Sequence, residues 1–298
     1  MDTGFTAQDA QTDFNRARRR QALSRLARRL RREPDDINLI LPFDEVVDAL
    51  GWRGERALGL QVIPLDSIVG TVDRAREFDR SFRPTSRRVR RRWERIAKAM
   101  RSGEAMPPID VYRVGDLHFV RDGHHRVSVA RQLRLDVIEA RVTAIVTAIT
   151  PAPELRSPDL PVKSHERLFR ERVPLPPEAH ARLALSSDKW RYAELAEHVE
   201  AWGFRAMQER GELMGREDVA AAWFREEYEP VVELMREAGL GGHLPEAEAY
   251  LRIGELRYML LRTHEWTDEV VERLRDAMHE RRSAAADTHV HRLLRDLR

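Results

Sequence analysis

Residues 109–146 read IDVYRVGDLHFVRDGHHRVSVARQLRLDVIEARVTAIV. The hydrophobic period changes twice in this stretch, and those changes set the fold class. Ile109–Val114 and Leu117–Arg121 alternate as two short strands, joined by the tight turn Gly115-Asp116. Asp122-Gly123 breaks the second strand. His124–Leu133 then follows the helical period with Val127, Ala130 and Leu133 facing inward, and Val137–Thr147 returns to alternation as a further strand.

Upstream, Leu58–Leu65 (LGLQVIPL) reads as a strand that ends near Pro64. A charge-rich loop, Gly70–Ser86, follows. Arg87–Ser102 is expected to be a helix with Val89, Trp93, Ile96 and Met100 on one stripe, capped by Gly103. The order strand, helix, strand, strand, helix, strand describes a small α+β unit. Before it, a strongly basic helix from about Asp13 to Arg32 carries Ala22, Leu23, Leu26, Ala27 and Leu30 at helical spacing and ends before Pro34. A short helix covers Phe43–Leu50 and stops at Gly51. After it, Pro151, Pro153, Pro158 and Pro161 mark a linker or wrapping segment. Helical periodicity then dominates, over Lys189–Gln208, Arg216–Ala238, Pro245–His264 and Thr267–Arg282. Trp190, Trp202, Trp223, Phe224, Tyr228, Tyr250, Tyr258 and Trp266 supply bulk for a helical core. The expected organisation is a basic N-terminal helical arm over 1–54, a mixed α/β domain over 55–150 and an α-helical domain over 151–298.

Composition narrows the function classes. The chain has 298 residues and no cysteine, which excludes disulfides, thiolate zinc sites, iron–sulfur ligation and cysteine nucleophiles. No run of about 18 apolar residues is present, so no membrane span is expected. The N-terminus, MDTGFTAQDAQTDF, lacks a basic start followed by an apolar stretch, so no secretory signal is expected and a cytoplasmic location is the default. The net charge of +2 sums unlike halves: residues 1–150 hold 29 Lys and Arg against 21 Asp and Glu, and residues 151–298 hold 23 against 29. A polyanionic partner suits the first half. Only Lys98, Lys163 and Lys189 are lysines, so arginine is the general basic residue here and not a mark of phosphate by itself.

The sharpest local feature is Asp122-Gly123-His124-His125-Arg126 between a strand and a helix. A helix N-terminus presents unpaired N–H groups and partial positive charge. Glycine allows close approach of a ligand, and Arg126 adds a bidentate donor suited to phosphate. Together these define an anion site for the phosphates of a nucleotide. Asp122 is the candidate for holding a metal or acting on a proton, and His124 and His125 for donating to phosphate or shuttling a proton. The competing reading is structural: Asp122 caps the helix, Gly123 turns the chain and the histidines lie on the surface.

Leu60 to Val146 resembles the ParB N-terminal domain and sulfiredoxin superfamily. The matching pieces are IPLDSI (Ile63–Ile68), the long loop and helix ending at Gly103, PPIDVYRVGDLHFVRDGHHRVSVARQLRLDVIEARV, and the Gly-x-x-Arg box at Gly123–Arg126. The flanks resemble those of ParB-like "nuclease domain" proteins of high-GC bacteria. The resemblance implies a nucleotide-binding fold using a nucleoside triphosphate, CTP or ATP, with Mg2+ arriving on the nucleotide. In partition proteins the box reads Gly-Glu-Arg-Arg and binds the triphosphate of CTP; Gly123 and Arg126 keep its ends, and His124 and His125 replace its middle. In sulfiredoxins the position of His124 is the reactive cysteine, so sulfinic-acid reduction is not implied. In the free serine kinases the box reads Asp-Gly-His-Thr-Arg, which Asp122, Gly123, His124 and Arg126 match. The resemblance also turns the loop TVDRAREFDRSFRP toward the nucleotide. Glu77 or Asp79 then becomes a candidate general base, and Arg80 or Arg83 a phosphate clamp; Asp73, Ser128 and Arg131 are further candidates. The competing reading is a solvated loop with its own salt bridges.

Among Arg87, Arg88, Arg90, Arg91, Arg92 and Arg95, the residues Arg88, Arg91, Arg92 and Arg95 are candidates for following a nucleic-acid backbone. The alternative is a solvated face paired with Glu94. The run from Arg16 to Arg32 holds nine arginines and no acid. No helix-turn-helix stands out after Pro161, which departs from partition proteins. No metal-ligand set is expected; His289 and His291 form only a weak pair. Two functions therefore compete, a nucleotide-dependent switch or accessory factor acting near nucleic acid and a phosphotransferase resembling the free serine kinases. A third is a vestigial pocket with a partner-binding helical half. A homodimer is compatible with each.

Overall fold

The structure is a computed structural model that describes residues 6–31, 40–73, 77–185, 188–239, 244–261, 266–267 and 269–277. The chain divides into two compact units, Met1–Arg167 and Leu168–Arg298.

Unit 1 is mixed α/β. Its elements run α1 (Thr6–Arg31), β1 (Leu41–Pro42), α2 (Phe43–Leu50), β2 (Trp52–Pro64), β3 (Ile68–Thr71), α3 (Arg90–Arg101), β4 (Ile109–Val114), β5 (Leu117–Asp122), α4 (His124–Gln132) and β6 (Val137–Thr147). The strands form one six-stranded sheet in the order β1-β3-β5-β4-β6-β2. β1–β3, β3–β5 and β4–β6 pair in parallel, whereas β4–β5 and β2–β6 are antiparallel. Alternation assigns each strand's residues to opposite faces. Val111, Val120 and Val142 join Val127 and Ala130 of α4 in one cluster. Val114, Phe119 and Ile145 join Val46 and Leu50 of α2 in another. That second cluster also takes in Leu155 and Leu160, so the proline-rich segment contributes apolar side chains to the core of this unit.

The helix at the N-terminus begins at Thr6, seven residues before the expected start, and its packing face differs from its leucine stripe. Leu23, Leu26 and Leu30 are 56%, 56% and 79% exposed, whereas Ala10, Phe14 and Ala17 are buried. Phe14 meets the ring of Trp93 edge-on at 5.6 Å. Arg101 donates twice to Asp13 Oδ2, at 2.9 and 2.7 Å, and Arg18 donates to the carbonyls of Pro84 and Thr85. Trp93 in turn donates its indole N–H to Ser128 Oγ at 2.8 Å, which ties α1, α3 and α4 into a third cluster.

Unit 2 is helical over its described residues. It contains the remainder of α5 (Leu160–Arg172), α6 (Pro177–Arg182), α7 (Arg191–Arg210), α8 (Arg216–Trp223), a π-helical turn at Phe224–Tyr228, α9 (Glu229–Glu237) and α10 (Glu246–Leu261). Residues 269–277 are helical as well. Gly203 lets α7 approach α8, since a Cβ there would lie 2.4 Å from Val219 Cγ1. Trp223, Tyr228 and Tyr250 meet with centroids 5.3 to 6.0 Å apart and fill the centre. The ends of two expected helices, at 262–264 and 278–282, lie outside the described residues, as do Pro34, Gly241 and Gly242.

The two units are expected to respond to pH with opposite sign. Burial, reinforced by Arg113 and opposed by Asp116, pushes the His118 imidazole down to about 4. Between pH 6.5 and about 4 the unfolded chain binds a proton that the folded state does not, so unit 1 loses stability as pH falls through that window. The loss reaches about 3 kcal/mol near the bottom of the window. Burial and a hydrogen bond with Glu255 push the Glu194 carboxyl up to about 7, against the pull of Arg191. Between pH 4.5 and about 7 the folded state keeps a proton that the unfolded chain releases, so unit 2 loses stability as pH rises. Calorimetric scans from pH 4 to 7.5 check this. His118→Gln is expected to flatten the acid-side decline, and Glu194→Gln the decline on the other side. Unchanged slopes in both variants would contradict the assignment.

Candidate functional site

The β5–α4 junction carries the Asp122–Arg126 box. Gly123 takes φ +103, a left-handed conformation that favours glycine, and a Cβ there would lie 2.4 Å from Ile109 Cγ2. No side chain caps the N-terminus of α4. Three residues of the box behave differently from surface groups. His124 and His125 are buried. His124 Nε2 shares a 2.6 Å hydrogen bond with Thr71 Oγ1 on β3, and its ring stacks on Phe78 at 6.3 Å. His125 meets the same Phe78 ring edge-on at 5.3 Å. Arg126 donates to the carbonyls of Pro107 and Pro108, the latter at 2.7 Å, and to Asp122 Oδ2 at 2.5 Å. Asp122 is the exposed partner, at 59%, and Arg126 the covered one, at 12%.

Arg92 and Ile96 of α3 complete a cleft with Asp122–Arg126, with a cavity volume of about 20 Å³. That volume is close to a single water-sized probe. Arg92, expected on sequence to face nucleic acid, therefore stands beside the box. Arg88, Arg91 and Arg95 are exposed at or near the start of α3, while Arg90 bonds Glu94 at 2.6 Å.

The loop residues go elsewhere. Glu77 accepts the Thr85 N–H on its carbonyl and precedes Phe78, but does not line the cleft. Asp79 Oδ1 accepts the backbone N–H groups of Ser81 and Arg83, at 3.0 and 2.9 Å, which makes it a loop-building residue. Arg80 donates to the Leu155 carbonyl at 2.7 Å, and burial and the nearby Arg156 lower its pKa, against Asp159. Arg83 lines a separate cavity of about 410 Å³ with Ser128 and Arg131. The structure thus joins Arg92 to the box and separates Glu77, Arg80 and Arg83 from it. Asp73 is exposed.

Sequence reasoning missed Thr71 as the partner of His124 and the Ser67–His118 hydrogen bond of 2.8 Å. It also missed a buried polar group in unit 2. There Arg257 stacks 4.0 Å from the Trp266 ring, and Trp266 donates to Glu227 at 3.2 Å. Burial raises the Glu227 carboxyl against the pull of Arg257. The only local signal was a pair of acids, Glu226 and Glu227, inside an aromatic run. No set of three or more His, Asp or Glu suited to a metal ion occurs among the described residues, and His289 and His291 lie outside them. No described helix is long and apolar enough to cross a membrane. Comparison with protein-family models and with curated proteins matched nothing.

Proposed function

We propose that unit 1 contains a ParB- and sulfiredoxin-like nucleotide-binding domain, working as a nucleoside-triphosphate-dependent switch whose phosphates sit at the Asp122–Arg126 turn. The observation that carries this reading is the state of Arg126. Its guanidinium stands at the uncapped start of α4, held by Asp122 and by two backbone carbonyls. A phosphate competes well for such a guanidinium, because it offers the same bidentate geometry with more charge. Binding would exchange Asp122 for phosphate and widen a cleft that now has room for little more than water. Arg92 lines the same cleft and adds a second positive group. The exchange would free the Asp122 carboxylate, which would then be the residue to hold Mg2+ carried by the nucleotide, an ion that takes most of its ligands from phosphate and water.

Calorimetric titration of the full chain with Mg2+ and ATP, ADP, CTP or GTP tests the reading. One triphosphate is expected to bind, and Arg126→Ala to abolish that binding. Silence from all four at millimolar concentration would sink it.

Arg88 in the turn before α3 and Arg91 and Arg95 on α3 are exposed and add positive charge to the element that carries Arg92, so nucleic-acid phosphates are the partner proposed for this face. Duplex DNA is expected to bind in a salt-dependent manner, and Arg91→Ala with Arg95→Ala to reduce the salt slope by about 2. Equal slopes would remove the nucleic-acid role. The match of Asp122, Gly123, His124 and Arg126 to the kinase box supports a second reading, phosphotransfer to a small hydroxyl acceptor. Against a proton-shuttling His124 stands its burial and its bond to Thr71. Nucleotide turnover stimulated by an amino acid and lost in Asp122→Asn would favour that reading.

A further inference from the structure

The cavity of about 410 Å³ in unit 1 runs beside the C-terminal half of α4, away from the box. Its volume falls in the range of small-molecule sites, about 300 to 1,000 Å³. Two independent features mark it. The first is backbone conformation. Phe82 (φ 55) and Arg134 (φ 61) are the only non-glycine residues with positive φ among the described residues, and both line this cavity. Strained backbone of this kind gathers at ligand sites. Arg134 follows the end of α4, with its N–H bonded to Arg131 O and that of Leu135 to Ala130 O. Glycine is the usual residue there. An arginine in its place spends strain to hold a guanidinium at the cavity.

The second feature is charge. Arg20, Arg83 and Arg134 line the cavity, and no carboxylate lies within ion-pair distance of any of them among the described residues. Arg131 stands behind, fixed by bonds of 2.7 Å to the carbonyls of Leu65 and Ile68, with its buried Nε lacking a partner. Burial lowers the Arg131 pKa against the pull of Asp66 and Asp79, so this cation gains from an added anion. Asp66 and Asp136 supply acceptors on the same lining. Ser128 accepts from Trp93 and so has its own proton to donate. No exposed aromatic ring is present to stack a base, because Phe82 is fully buried.

We propose that this cavity binds a small phosphate ester bearing hydroxyl groups, of the sugar-phosphate class. Arg83 and Arg134 take the phosphate with Arg131 beneath, and Asp66 and Asp136 accept from the hydroxyls. The site is separate from the nucleotide turn and does not depend on the reading of that turn.

The test uses the full chain with ribose 5-phosphate, inorganic phosphate and ribose as probes, read by calorimetry and by melting temperature. Ribose 5-phosphate is expected to bind, phosphate to bind more weakly and ribose not to bind. Arg83→Ala and Arg134→Gly are each expected to weaken binding by about tenfold or more. Arg134→Gly also relieves the left-handed strain, so its ligand-free melting temperature should equal or exceed that of the parent, which separates lost binding from misfolding. Arg126→Ala should leave ribose 5-phosphate binding intact. No binding at about 10 mM ribose 5-phosphate, parental affinity in both cavity variants, or loss of binding in Arg126→Ala would each overturn the proposal.

Discussion

Gly123→Ala is expected to destabilise unit 1 by about 3 kcal/mol and to abolish phosphate binding at the turn. Two costs add. A left-handed alanine costs roughly 1–2 kcal/mol, and forcing a methyl into a packed site costs about 1–3 kcal/mol more. The methyl would meet Ile109 Cγ2 at 2.4 Å and Cβ at 2.8 Å, so β4 must shift before it fits. It would also lie 3.1 Å from Arg126 Nη2, so the guanidinium proposed to receive phosphate moves as well. For a unit of this size the melting temperature should fall by about 6–12 °C. Calorimetry checks the stability and nucleotide titration the binding. A variant that melts like the parent would show that the turn tolerates a side chain, and the glycine argument would fail.

Trp93→Ala is expected to have the larger effect on stability, about 4 kcal/mol, within the range for truncating a fully buried aromatic side chain. Trp93 is fully covered, meets Phe14 of α1 and bonds Ser128 of α4. Its removal opens a cavity where three helices meet and takes away the main apolar contact of α1. The N-terminal helix should then detach before the sheet melts. Limited trypsin digestion reads this directly: cleavage after Arg20 and Arg25 should precede cleavage within the sheet, whereas the parent should be cut there slowly. Equal protection of α1 in parent and variant would show that Asp13–Arg101 and Arg18 hold the helix without the aromatic contact.

α2 and β6 run over the residues expected, Phe43–Leu50 and Val137–Thr147, because a glycine stop and a clean alternation are local signals. α3 starts at Arg90 and not Arg87, since the preceding residues form turns. β2 begins at Trp52, six residues before the expected Leu58, because antiparallel pairing with β6 carries the strand through residues of no apolar alternation. β1 and β3 went unread. They are two and four residues long, and parallel pairing with distant strands makes them, not their own pattern.

The site divides the same way. A box of Asp, Gly, His, His and Arg placed between a strand and a helix was visible as residue types at a spacing. The buried state of both histidines was not, because it depends on Phe78 and Thr71, more than 45 positions away in the chain. Nor was the engagement of Arg126 by the carbonyls of Pro107 and Pro108. A run of arginines records charge but not acceptors: among the candidates, Arg80 went to a carbonyl, Arg83 to a second cavity, and Arg92 to the box.

The sequence by itself determined the mixed α/β character of the first half, the helical character of the second and the place of the glycine turn at 123. These follow from period and from backbone freedom, which act over a few residues. Tertiary structure alone decided which face of the basic helix is buried, which arginines are neutralised internally and where a cavity large enough for a small molecule opens. Those outcomes depend on side chains brought together across long chain separations, where burial and hydrogen-bond satisfaction outweigh local preference.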